Sequence, residues 1–129
     1  MNPPPLALGL TLCEKCIVEQ RSNNITLVSV FTRLFVDDFP SRPERLAFFI
    51  VLVGGLGEGD AELVITRLET EDEVYRMPRS IRFPDRLAEL RLAFHIRECS
   101  FPAPGAYDAC VFVDGDPIAR RKFSVAKRS

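Results

Sequence analysis

The side chains richest in chemistry are the two thiols of "TLCEKCIVEQ", Cys13 and Cys16, spaced C-x-x-C. Two thiols at that spacing can be half of a metal site, a redox pair, or ordinary strand residues. A zinc site brings both sulfurs to ~2.3 Å from one ion, which asks for a tight turn between them. A thioredoxin-type pair sits at a helix N-terminus that follows a strand. This pair has neither setting. Leu10 and Leu12 precede it and Ile17-Val18 follow, which is the composition of a strand. Positions three apart in a regular strand face opposite sides. Cys16 is therefore expected beside Leu12 and Val18, and Cys13 beside Thr11 and Ile17. On that reading both are structural thiols and no cofactor is expected. Cys13 and Cys16 remain the metal candidates, and a bulge at Glu14-Lys15 is the one feature that would bring them together.

The other chemical residues are isolated. A four-ligand metal site would have to draw Cys99, Cys110 or His95 from distant strands. His95, the single histidine, lies between Arg91 and Arg97 on a polar strand face, the setting of a surface strand residue. "GGLGEGD" (54–60) has no G-K-[ST] after it and no helix to follow, so it is a turn and not a phosphate cradle. "DGDP" (114–117) is followed by "IARRK", where a calcium loop would continue with oxygen ligands. No G-x-S-x-G elbow is present. An enzyme would have to be built from Asp37, Asp38 or Asp114 with the thiols, and no convergent motif favours one. Sugar binding is disfavoured by the lack of Trp.

The elements that must position these residues are strands. Leu6 to Glu19 and Ile25 to Val36 read as the two arms of a long hairpin about the turn "RSNN". Leu46 to Val53 is apolar on both parities, as in a strand covered on both faces. Ala61 to Leu68 follows, and charged "ETEDE" (69–73) separates it from "VYRM" and a short strand at Ile81 and Phe83. Leu90, Leu92, Phe94 and Ile96 form the inward side of the next strand. "FPAPGAY" is a corner, and Tyr107, Ala109, Val111 and Val113 alternate with Asp108, Cys110, Phe112 and Asp114. Asp114-Gly115 marks a hairpin tip. Ile118 and Phe123 on the return strand differ in parity, so a bulge or change of face is expected between them. About eight strands with Gly/Pro turns and hardly any helix predict an all-β sandwich, the immunoglobulin-like Greek key.

Length and charge bound the rest. The 129 residues suit one domain, expected at 6–126 between a Pro-rich lead-in (1–5) and a tail (127–129). With 17 basic and 18 acidic side chains, there is no global field to attract nucleic acid or an anionic membrane. No apolar run nears the ~20 residues of a membrane span. "MNPPPLALGLTLC" lacks the basic start of a lipoprotein signal, so the chain is expected in the cytoplasm with its four thiols reduced.

The stretches "LTLCEKCIVEQRSNNITLVSVFTRLFVDDFPSRPERLAFFIVLVGG" and "FPAPGAYDACVFVDGDPIARRKFSV" resemble a bacterial family of small domains of unknown function. Features of that family are a cysteine-plus-acid start, an S-x-x-x-F-x-R second strand and a closing F-P-x-P-G-x-Y hairpin, and the resemblance spans about Leu6 to Val125. The resemblance implies an immunoglobulin-like sandwich and carries no catalytic residue. The function expected is a non-catalytic interaction module whose partner is another protein or a second copy, with an enzyme or a small-ligand-binding protein of unrecognised type as the alternative. Its candidate surface is Cys110 and Phe112, outward of the core set, with the basic Arg120, Arg121 and Lys122 of an edge-like last strand.

Overall fold

Nine strands and no helix make up the regular structure of residues 3–129, the part of the chain that the computed structural model describes. They are β1 (Leu6–Val18), β2 (Ile25–Val30), β3 (Arg33–Val36), β4 (Glu44–Val53), β5 (Gly57–Arg67), β6 (Glu73–Phe83), β7 (Glu89–Cys99), β8 (Gly105–Val113) and β9 (Asp116–Lys127). A four-stranded sheet, ordered β2-β1-β4-β7, faces a five-stranded sheet, ordered β3-β9-β8-β5-β6. Every pairing is antiparallel except β3 with β9.

Period-two alternation builds the core between the sheets. β4 turns Leu46, Phe48, Ile50 and Leu52 inward, and β7 adds Leu92, Phe94 and Ile96. From the opposite sheet come Leu63, Ile65, Tyr107, Ala109 and Val111. Burying one such large apolar side chain contributes about 1.5–3 kcal/mol. Phe48, Phe101, Tyr107 and Phe123 meet with ring centroids 5.0 to 6.1 Å apart. The Tyr107 hydroxyl donates to the Ala103 carbonyl at 2.6 Å, closing a tyrosine corner that fixes the entry to β8. At the β8–β9 tip, Asp114 and Gly115 both have positive φ, 49° and 86°, as a two-residue type I′ turn requires.

Three expectations change. The run Ile25–Val36 is not one arm of a hairpin: it leaves the four-stranded sheet at Phe31-Thr32, and β3 joins the other sheet, where Val36 is buried. Each half keeps strand character, so composition alone gave no sign of the crossing. "VYRM" and Ile81–Phe83 belong to one strand, β6, with Pro78 inside it, which is tolerated because β6 is an edge. The last strand is not an open edge along its length, since Ser124 to Lys127 pair with β3. Its expected bulge is there: the register shifts between Val111 and Phe112, leaving Ile118 between the paired Pro117 and Ala119.

At the ends, Met1 and Asn2 of the expected lead-in lie outside the described residues, and Pro5 is buried. Arg128, expected in a tail, is held instead. Its amide donates to the Val36 carbonyl at 2.7 Å, and its guanidinium donates to Asp37 at 2.6 Å.

Candidate functional site

The cysteine pair departs from the regular-strand reading. The β1–β4 ladder ends at Cys13–Ala47, while the β1–β2 ladder runs from Cys13–Val30 to Val18–Ile25. Within it the pairing skips Glu14 and Ser29, and Ser29 takes a left-handed backbone with φ 55°. Face alternation breaks at that point. Leu12 points into the core, but Cys13 and Cys16 both turn to the outer side, with their sulfurs 3.7 Å apart. The opposite-face expectation is thus corrected: alternation fails between Cys13 and Cys16, across from the left-handed Ser29.

The pair is enclosed by Ala47, Ile25, Leu27, Phe49 and Ala93, with Cys13 0% and Cys16 8% exposed. Burial raises both thiol pKa values, that of Cys16 to about 12, with the neighbouring Cys13 adding to the effect. Both are protonated thiols at neutral pH. Among the described residues no group of three or more His, Cys, Asp or Glu is placed to hold a metal ion. Among the described residues the sulfurs have each other and no third ligand.

Beyond Cys13 the end of β1 has left β4 and keeps only β2, so the two strands form an arm. Ile17, Val18 and Val30 on it are 47%, 52% and 59% exposed. The outer edge of β2 has no strand partner among the described residues. The three other edge strands are guarded. β6 carries Arg76, Pro78, Arg79 and Arg82, β7 carries Arg91, His95, Arg97 and Glu98, and β3 is four residues long with Arg33. β2 reads "ITLVSV", with no charge and no proline. Sequence reasoning missed this edge because it joined β2 and β3 into one strand, although the bare composition of "ITLVSV" was there to read.

The second candidate region is the outer face of the five-stranded sheet. Cys110, Phe112 and Asp108 of β8 lie on it, and Arg120 and Lys122 of β9 stand directly opposite Cys110 and Asp108. Cys110 is buried rather than sticky, since Arg120 lies over it with Nη2 3.9 Å from the sulfur. Phe112 is half-buried, at the rim of an open groove of ≈ 780 Å³ shared with Glu62, Arg76, Pro78 and Asp114. Arg121 does not belong with this set. It registers with the core-facing Ala109 and so has the opposite parity.

The residue not foreseen as special is Asp108. It is 5% exposed, one carboxylate oxygen is 3.5 Å from Arg120 Nε, and the other is buried with no hydrogen-bond partner. Burial pushes its pKa above the usual carboxylate range, against the pull of Arg120 and Lys122. Alternation put Asp108 on the polar side of its strand, and nothing in the sequence reported how crowded that side is.

The remaining candidates are dispersed. His95 is exposed on the outer side of β7, paired in register with Ala47. Asp37 and Asp38 form ion pairs with Arg128 and Lys127. Asp114 accepts the Asp60 amide at 2.9 Å, a hydrogen bond that holds its turn. Cys99 is buried in the core between the sheets.

These features define a two-sheet, all-β sandwich with a buried dithiol at the root of a two-stranded arm. Its sequence matches the model of the Family of unknown function (DUF6941) over residues 8–126, and the chain belongs to that family. No curated protein matches it. No helix among the described residues is long and apolar enough to cross a membrane.

Proposed function

We propose that this chain is a non-catalytic interaction module that binds a protein by strand addition to the outer edge of β2. The observation that carries the reading is that β2 alone among the four edge strands lacks charge, proline and extreme shortness. An edge of that kind is a template for another strand, and natural sheets guard such edges unless they are used. The exposed Ile17, Val18 and Val30 supply apolar area beside it. The partner chemistry that fits is an extended, uncharged segment with β-branched side chains. The tyrosine corner and the parallel β3–β9 pair support an immunoglobulin-like sandwich as the scaffold. Four unlinked thiols are in keeping with a cytoplasmic setting.

The test is affinity capture from the native host at low and moderate salt, with wild type beside a Thr26→Lys/Val30→Lys variant. Both positions are exposed, so the variant should keep its stability to within about 0.5 kcal/mol. Loss of a stoichiometric partner from the variant at both salts supports edge docking. Equal recovery by the two proteins rejects it.

A further inference from the structure

The two sulfurs at the root of the arm are in van der Waals contact, and Cys99 and Cys110 have no such sulfur neighbour among the described contacts. A disulfide bond is ~2.05 Å long, so the sulfurs must approach by roughly 1.6 Å to form one. The small side chains of Ala47 and Ala93 adjoin them. The pair also straddles the point where β1 parts from β4: Cys13 is the last residue in the β4 ladder, and Cys16 is on the arm. A bond between them would fix the backbone bend at which the arm leaves the sheet.

We propose that Cys13 and Cys16 are a redox-active dithiol, closed to a disulfide by exchange with a small-molecule disulfide such as oxidised glutathione, and that closure clamps the β1–β2 arm. Cys16, the more exposed of the two, loses its proton to solvent and attacks one sulfur of the small disulfide, expelling a thiolate and leaving a mixed disulfide. Cys13 then loses its proton, attacks the Cys16 sulfur and expels the second thiolate. One small disulfide is reduced to two thiols as two protein thiols become one disulfide. Burial keeps both groups protonated at neutral pH, so the exchange is slow there and accelerates in alkali. The inference stands apart from strand addition, since it concerns the hinge of the arm and not what the arm meets.

The sequence provides a direct readout. Trypsin cuts after Lys15, between the two cysteines, giving fragments 1–15 and 16–21 with one cysteine each. The folded protein is incubated with oxidised glutathione at pH 8.5, quenched with acid and digested without reduction. The expected product is 1–15 joined to 16–21, with Cys99 and Cys110 unlinked. In Cys13→Ala the link is replaced by a glutathione adduct on Cys16. Free thiols at both positions, or a lasting adduct on wild-type Cys16 without the link, would overturn the proposal. The clamp is read by hydrogen exchange at Ile25–Val30, expected to slow several-fold on oxidation. Unchanged exchange in the linked protein refutes the clamp.

Discussion

Replacing Asp108 by Asn should make the protein more stable at neutral pH. The wild-type carboxylate keeps one oxygen buried without a partner, and leaving such a group unsatisfied costs about 1–3 kcal/mol and more when it is charged, so a neutral amide in its place costs less. Against this stands the ion pair with Arg120, whose side chain is 62% exposed and whose Nε is 3.5 Å away. A pair with one partner that open contributes ~1 kcal/mol at most. The balance favours the amide by about 1 kcal/mol, or ~4 °C in melting temperature for a domain of this size. The advantage also depends on pH. Because the native pKa of Asp108 lies above the unfolded value near 3.8, the native state takes up its proton first as pH falls. Wild type therefore loses its penalty between the raised native pKa and 3.8, and the gap to Asp108→Asn closes across that window. Melting followed by far-ultraviolet circular dichroism at pH 7, 5 and 4 reads both parts. A variant less stable than wild type at pH 7, or a gap constant with pH, would show that the carboxylate is properly paired and the reasoning wrong.

Tyr107→Phe removes the hydroxyl that donates to Ala103 and should lower stability by about 1 kcal/mol in urea titration, leaving the fold intact. Gly55→Ala sets a Cβ within 2.5–2.8 Å of the Phe83 ring, so a loss of about 1–3 kcal/mol is expected from the same assay. Alkylation of Cys16 by iodoacetamide in the folded protein should rise about tenfold per pH unit from 7 to 10, since only the thiolate reacts and its pKa is about 12. In urea-unfolded protein the rise should level off near 9; identical profiles in the two states would contradict the burial argument.

How far the sequence disclosed this molecule depended on whether its alternation stayed regular. In β8, and in β7 as far as Ile96, the period-two pattern is unbroken, and Phe94, Ile96, Tyr107 and Val111 face inward as the sequence predicts. The Asp114-Gly115 tip was legible for the same local reason, because positive φ has residue preferences. The cysteine pair was misread because the break lies in the backbone opposite it, at Ser29, and serine carries no mark of a left-handed conformation. The path of Ile25–Val36 was hidden because a strand that changes sheets keeps its β-branched residues on both sides of the crossing. Asp108 was placed on the correct face, but its burial comes from the neighbouring β9 side chains, which local pattern does not weigh.

The parallel β3–β9 pair has a consequence for how the chain is made. Arg33 and its neighbour Ser124 are separated by 91 positions, among the most distant partnerships in the sheets. During synthesis, Arg33–Val36 emerge long before the residues they will pair with exist. Through that interval the strand has no template, its Phe35 and Val36 lie open, and β8 also waits for its second neighbour. Closing so long a loop is entropically late as well as chronologically late. A ribosome that stalls between β8 and β9 therefore displays a half-built sheet with two ragged borders, the form most exposed to chaperones and to aggregation.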